Sequence, residues 1–361
     1  MTIKAKEKSN KFQPPLPDDE LLRQMYEFMV LARVMDERCY KLQRQGRIGF
    51  YAGGNGEEAV QVGTALAMKT QDHVFASYRQ PAVALVRGTS LQVMFDNLFG
   101  NARDYVQGKQ MPIHYSDREH NFYSVSSVIG TQISQGVGFG MASKIKKDSA
   151  VGITYFGDGA SSSNDFHSGM NFAATFKAPV VLCLVNNQFA ISTPVNKQTG
   201  CQQLVDKAIG YGMRGVQVNG NDCIAVYQAM QQALEHARTG LGPTLLELKT
   251  YRRGPHSSSD DPSRYRDTQL AEKFPDPLDV IEETLSDRPF FTNSFKQQCF
   301  DNAEAQISEA IKNAEAIGQP EWHTIIEDVY AEVPKRLRRE AKAIFESEKD
   351  LPRTNEGEFP L

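Results

Sequence analysis

The sequence has no apolar run long enough to cross a bilayer, no excess of positive charge and no closely spaced cysteine pair. The first absence excludes a helical membrane protein, because a spanning helix needs about 20 consecutive apolar residues. Lys and Arg number 40 against 44 Asp and Glu, a formal net charge of -4 with a pI near 6.0, so the chain carries no electrostatic footprint for nucleic acid. The five cysteines, Cys39, Cys183, Cys201, Cys223 and Cys299, stand apart from one another, which excludes the paired spacing of structural zinc sites. Cys183 lies inside an apolar run, and reduced, packing thiols of a cytosolic protein are the reading that fits. The start, Met1 to Lys8, lacks the apolar stretch of a secretion signal. A dinucleotide fingerprint is missing too, because the glycines at 136, 138 and 140 neither follow a clear strand nor have its spacing. There is no internal repeat and no low-complexity domain.

What is present fits one large core or two subdomains: 361 residues, 40% of them hydrophobic. Residues 1–17 are Lys-rich and then Pro-rich and read as a mobile arm. From 18 to 266 helical stretches alternate with short apolar runs, among them Val151–Phe156, Val180–Val185, Gly215–Val218 and Pro243–Thr250. That alternation predicts an α/β domain with a doubly wound, mostly parallel sheet. Residues 267–361 read as a helical C-terminal extension, with helices over Pro277–Ser286, Ser294–Ile317 and Trp322–Ser347. The segment Thr131–Lys147 has a helical pattern but carries three glycines and Ala142. Each glycine costs a helix about 1 kcal/mol against alanine, so either a close helix–helix approach or a looser helix is expected there.

The most telling stretch runs from Gly157-Asp158-Gly159 to Asn186-Asn187. Two apolar strands, each ending at one of these polar groups, flank a helix over Asn164–Lys177. A strand, helix, strand unit brings both strand ends to one edge of a parallel sheet, where open α/β sheets bind ligands. Asp158 and the amide oxygen of Asn187 could supply oxygen donors to a hard divalent cation that bridges two phosphates. Small Gly159 and Ala160 let the backbone approach that ligand. Either dipeptide alone is an ordinary turn. Paired at about thirty residues on successive strand ends, they point to a thiamine diphosphate site.

With its surroundings this segment resembles the alpha subunit of the first component of the 2-oxo acid dehydrogenase complexes. The resemblance runs from Arg33 to Pro334. It is carried, in order, by Ser77-Tyr78-Arg79, Gly108–Tyr115, Ser126-Ser127 with Thr131-Gln132, Tyr155–Ala160, Asn186–Pro194 and Tyr251–Arg266. It implies the thiamine diphosphate-binding fold, with thiamine diphosphate and Mg2+ as cofactors. Asp158, Asn187 and the backbone carbonyl of Phe189 would be the metal ligands. Tyr78, Arg79, Gly157, Gly159 and Ala160 would lie against the cofactor, Arg79 as a clamp on its diphosphate. Ser127 and the main chain of Ile129 match positions at its thiamine portion. His256 and Ser127 are the catalytic candidates. Asp260, Tyr265 and Arg266 would hold the His256 loop in shape, and a serine matching Ser257 is phosphorylated in animal relatives. Ser126, Val128, Thr131 and Gln132 match a K+ site of some relatives. Two departures stand out: Val185 replaces a phosphate-binding arginine of animal branched-chain relatives, and Phe189 replaces a tyrosine.

The implied activity is oxidative decarboxylation of a 2-oxo acid with acyl transfer to a lipoyl group. The uninterrupted His256–Pro262 run and the Gly108–Tyr115 segment favour branched-chain substrates such as 2-oxoisovalerate over pyruvate or acetoin. In this family the glutamate that activates the cofactor belongs to a beta subunit. The partners implied are therefore a beta subunit in an α2β2 heterotetramer, the lipoyl domain of the acyltransferase core and the 2-oxo acid, with no nucleic acid and no membrane. The implied location is the bacterial cytoplasm, or the mitochondrial matrix of a eukaryote. A non-catalytic cation- or nucleotide-binding regulator on the same scaffold is the alternative of a different class. Asp158, Asn187 and His256 together argue against it.

Overall fold

The computed structural model describes residues 16–348, except Trp322 and Asp328. The arm read at 1–17 lies outside the described residues except for Leu16 and Pro17. Five strands form one parallel sheet: β1 (His73–Phe75), β2 (Gly152–Gly157), β3 (Val180–Asn186), β6 (Arg214–Asn219) and β7 (Thr244–Lys249), in the order β1-β2-β3-β7-β6. A two-stranded antiparallel hairpin, β4 (Phe189–Ala190) with β5 (Thr193–Pro194), projects from the end of β3.

Strand β3 shows why the sheet is covered on both faces. Its successive side chains point to opposite sides. Val181, Cys183 and Val185 enter one core with the helices Asp19–Arg44, Glu58–Leu66 and Cys223–Arg238. Val180, Leu182 and Leu184 enter a second core with Ile133, Val137, Phe166 and Met170. An unbroken apolar run is what a strand buried on both faces requires. The outermost β6 alternates half-buried and exposed residues instead, as an edge strand does.

The glycine-bearing helix spans Thr131–Lys146. Its close approach is to the sheet: a Cβ on Gly136 would overlap the Thr154 methyl of β2, and one on Gly140 would lie 3.0 Å from the Pro179 carbonyl oxygen. Gly138 faces open space. The helix–helix expectation is corrected in that sense at Gly136 and Gly140.

The helices Pro277–Leu285 and Asn293–Glu315 pack their apolar side into the first core through Leu278, Ile281, Leu285, Ala303, Ile307 and Ile311. Arg33 of the first long helix ties this region in, with Glu58 at 2.6 Å and Asp276 at 2.8 Å. The stretch expected as one helix to Ser347 is two, Thr324–Glu327 and Lys335–Glu348, and its expected start at Trp322 lies outside the described residues. Proline at 334 lacks the N–H a helix interior needs and marks the restart.

Candidate active site

Strands β2 and β3 end side by side, with Gly157 paired to Val185. Asp158 follows the first and Asn186-Asn187 the second, so their side chains leave the sheet at one edge, on strands about 4.8 Å apart. The two asparagines then part. Asn186 turns into the protein and donates to Glu247 Oε1 at 2.7 Å, whereas Asn187 lines a cavity of about 500 Å³. Asp158, Gly157, Gly159, Ala160, Phe189, Tyr78, Arg79, Ser127, Ile129 and His256 line the same cavity. The structure thus brings together the residues expected at thiamine diphosphate and Mg2+, whereas of the K+ candidates only Gln132 lines this cavity.

Glycine is demanded where the backbone meets this space. A Cβ on Gly159 would sit 2.7 Å from that of Ala190 on the hairpin, while Gly157 opens onto space clear of protein atoms. Gln188 and Ile191, which bracket β4, hold positive φ of 78° and 53°, a local strain at both ends of the strand that carries Phe189 and sets Ala190 against Gly159. Burial raises the Asp158 carboxyl above its ordinary value, against the hydrogen bond from Gln198, its own backbone N–H, and the charges of Arg252 and Arg79.

Tyr78 and Arg79 lie between strand β1 and the helix Pro81–Arg87. Arg79 is 5% exposed and donates to the carbonyl oxygens of Gly53 and of His256, the latter at 3.0 Å. It also reaches His256 Nδ1 at 3.3 Å. A guanidinium only donates, so Nδ1 is the bare nitrogen of that ring and Nε2 carries the proton. Burial, with the Arg79 and Arg252 cations beside it, lowers His256 to about 4. Its imidazole is therefore neutral at physiological pH and can offer an N–H from Nε2.

On the opposite wall, His114 Nδ1 lies 3.1 Å from the Pro112 carbonyl and Nε2 lies 2.5 Å from Ser127 Oγ. With Nδ1 facing the carbonyl, Nε2 is the ring nitrogen left to accept from Ser127. The hydroxyl proton of Ser127 is then committed to His114, and its oxygen lone pairs remain for a ligand. Ser126 Oγ accepts from Val128 N–H at 3.2 Å, and the Val128 carbonyl accepts from Thr131 Oγ1 at 3.2 Å. Gln132 donates to the Tyr155 carbonyl at 2.9 Å and leaves its own Oε1 buried without a partner among the described residues. Three candidate K+ positions are thus linked by one turn, with the fourth beside them in sequence.

The segment Tyr251–Arg266 is a networked loop and not a solvated one. Arg252 is 1% exposed and donates to the carbonyls of Phe189 at 3.2 Å and Ile191 at 2.9 Å and to Tyr265 Oη at 2.8 Å. Asp260 accepts from His256 N–H at 2.6 Å and from Tyr265 Oη at 2.5 Å, and Arg266 donates to the carbonyls of Arg252, Arg253 and Gly254. Asp260, Tyr265 and Arg266 therefore do brace the loop. Ser257 and Ser258 are buried, so a hydroxyl at 257 becomes accessible only when the loop opens.

The reading of the sequence assigned no role to three lining residues, Glu57, His114 and Arg252, nor to Gln198, which hydrogen-bonds Asp158 from outside the lining. Glu57 and Arg252 sit in runs of charged residues that look solvated until the chain folds over them. Burial raises the Glu57 carboxyl to about 7, against the pull of Arg79 and the Asn187 hydrogen bond. Val185 also lines the cavity, so the arginine that it replaces would have pointed there.

Comparison with known proteins places this geometry. A family profile described as dehydrogenase E1 component matches residues 26–323. The chain is 39% identical over 337 residues to 2-oxoisovalerate dehydrogenase subunit alpha 1, mitochondrial, of Arabidopsis thaliana, which spans 92% of this chain and 71% of that protein. It is 38% identical over 342 residues to 2-oxoisovalerate dehydrogenase subunit alpha of Pseudomonas aeruginosa, spanning 92% of this chain and 83% of that one. A relative of the same description from Caenorhabditis elegans is 37% identical over 335 residues, 92% of this chain and 78% of its own.

Proposed function

Because the chain belongs to the dehydrogenase E1 component family, a family of thiamine diphosphate-dependent 2-oxo acid dehydrogenases, we propose that it is the alpha subunit of one that acts on branched-chain 2-oxo acids such as 2-oxoisovalerate. The observation that carries this is the meeting of Asp158, Asn187, Arg79 and His256 around one cavity at the carboxyl edge of a parallel sheet. The donor set fits a diphosphate anchored through Mg2+: one carboxylate, one amide oxygen and the Phe189 carbonyl, with small residues where the backbone must approach. When bound, thiamine diphosphate supplies the carbanion chemistry that releases carbon dioxide from a 2-oxo acid.

The chain's own side chains bind and orient. Asp158, Asn187 and the Phe189 carbonyl would hold the cation, whose charge and that of Arg79 balance the phosphates. Phe189 keeps its role because the ligand is main-chain oxygen, and its one bond from Arg252 leaves a second lone pair. Ser127 would meet the thiamine portion with an oxygen acceptor, its proton being held by His114. His256 would present the Nε2 proton to the reacting end. Arg79 and Arg252 both line the cavity and both donate to backbone carbonyls, so a diphosphate would draw on their charge and on the N–H groups those bonds leave. The Ser126, Val128, Thr131 and Gln132 cluster would take K+, with Gln132 Oε1 as the oxygen in want of a partner.

Alpha subunits of this kind work with a beta subunit. An α2β2 assembly serving a lipoyl domain is the arrangement proposed here. In the family resembled the glutamate that activates the cofactor's ring comes from the beta subunit, and the same division of labour is proposed for this chain. The test is co-expression with candidate beta subunits and measurement of decarboxylation of 2-oxoisovalerate and pyruvate and of cleavage of acetoin, alongside calorimetry on Asp158→Ala. The expected results are preference for the branched-chain acid and loss of Mg2+-dependent thiamine diphosphate binding with the fold intact. Preference for pyruvate would overturn the substrate, and undiminished cofactor affinity in the variant would overturn the anchor.

A further inference from the structure

Both side chains assigned to the cation are held from behind. Asn187 donates its Nδ2–H to Glu57 Oε1 at 2.7 Å. The Phe189 N–H, which can only donate, lies 3.3 Å from the other end of the amide, so that end is Oδ1, the oxygen Asn187 can offer, and nitrogen faces Glu57. Gln198 mirrors this on the other ligand. Its Nε2 donates to Asp158 Oδ2 at 2.6 Å and to the Thr193 carbonyl at 2.8 Å, which ties the carboxylate to the β4–β5 hairpin.

The neighbouring glutamate has another task. Glu58 binds Arg33 at 2.6 Å and the Gly56 N–H at 2.9 Å, and it does not line the cavity. Glu57 is aimed the other way by a clamped turn: Gly56, at φ 94°, has Tyr251 O where a Cβ would go, and Arg253 N–H donates to the Asn55 carbonyl at 3.0 Å. Glu57 is 1% exposed, and its Oε2 has no partner among the described residues. Gln198 Oε1 is buried and unpartnered in the same way. An unsatisfied buried polar atom costs about 1–3 kcal/mol, and an apolar residue at either position would avoid it. Groups kept at such a cost mark a function rather than packing.

We propose that Glu57 and Gln198 are positioning residues of the cofactor anchor: Glu57 turns the Asn187 amide so that oxygen faces the cation, and Gln198 fixes Asp158 to the hairpin that carries Phe189. The inference rests on the reading of Asp158 and Asn187 as cation ligands. Partners behind metal ligands act by orienting them, and their removal typically weakens metal binding by about 10–100-fold.

The experiment uses the full chain assembled with its beta subunit. Thiamine diphosphate binding is titrated calorimetrically across a range of Mg2+ concentrations, and Mn2+ in place of Mg2+ is read by electron paramagnetic resonance. Glu57→Met, of similar size but without an acceptor, and Gln198→Ala are each expected to raise the metal half-saturation by about 10–100-fold. Glu57→Gln keeps an acceptor oxygen for Asn187 and should stay within about threefold of the parent. Equal losses in Glu57→Gln and Glu57→Met, or parental half-saturation in both Glu57→Met and Gln198→Ala, overturn the positioning roles. Asp158→Ala separates the two levels. If it abolishes metal-dependent binding while the others bind normally, the anchor stands and only this inference falls; if it binds normally, the anchor itself is wrong. Should Glu57→Met fail to assemble, Gln198→Ala with its manganese spectrum decides alone.

Discussion

At the scale of single residues, position in the fold changes what a side chain can do. His256 as a free imidazole would titrate near 6.5, yet burial and two neighbouring arginines bring it to about 4. The unfolded chain therefore binds more protons than the folded one between those values. The stability this histidine permits is complete above 6.5 and is lost as the pH falls toward 4. The protection of residues 251–266 in the cofactor-free protein, measured as hydrogen exchange relative to the intrinsic amide rate at each pH, should accordingly fall as pH drops through that window, and in His256→Gln the acid-induced part should shrink. Persistent protection at pH 4.5 would contradict the burial argument. In the assembled enzyme, His256→Ala should lower acyl transfer to a lipoyl acceptor by about 10²–10⁴-fold, the range of a lost proton donor, with a much smaller change in cofactor affinity. Arg79 and the cation still hold the diphosphate in that variant. Equal losses in both measurements would place the imidazole on the phosphates instead.

The secondary-structure elements set how much change each position tolerates. Two glycines in the helix Thr131–Lys146 lie one on the sheet and one in open space, only two residues apart. Gly136→Ala should destabilise the isolated chain by about 1–3 kcal/mol through overpacking against Thr154 and Phe75. Gly138→Ala should stabilise it by about 0.4–1 kcal/mol by restricting the unfolded chain. Denaturant melts of the two variants test the pair, and similar shifts in both would remove the packing explanation. The loop Tyr251–Arg266 permits another test. Arg252 is bonded inward on three acceptors, whereas the side chain of Arg264 is 83% exposed. Trypsin should cut after Arg264 well before Arg252, and thiamine diphosphate with Mg2+ should slow the first cut by ordering the loop further. Cleavage at Arg252 as fast as at Arg264 would mean that the network does not persist in solution.

The whole molecule is one sheet with two cores, and its cavity opens where the sheet's strands end. Val128, Ile129 and Ile191 are apolar yet exposed around that opening, on the segments that carry Ser127 and Phe189. Each of the cavity's two carboxylates carries one amide donor, Asn187 on Glu57 and Gln198 on Asp158, and the ring-activating glutamate is proposed to come from a beta subunit. The chain alone should thus show no decarboxylation and acquire it when a beta subunit is added, as measured by carbon dioxide release. Turnover by a verified homo-oligomer would refute that division of labour. No helix among the described residues is long and apolar enough to cross a membrane.

Local chemistry was legible in the sequence because it depends on neighbours along the chain. The apolar runs of β2 and β3, the helix between them, and a carboxylate and an amide just past the two strand ends together specify a parallel unit with the proposed cation ligands at its edge. Arg79, Ser127 and His256 could be named as members of the site because each lies in a distinctive short stretch. Their partners could not, because those arrive from distant segments. Glu57 meets Asn187 across 130 positions, Arg252 reaches Phe189 across 63, and Gln198 reaches Asp158 across 40. A glutamate beside another glutamate, or an arginine beside another arginine, reads as a solvated surface until tertiary contacts remove the water. Only the folded structure decides which of the paired residues turns inward, and with it the orientation of the Asn187 amide and the neutrality of His256, since both depend on burial and on donors that chain order does not place nearby.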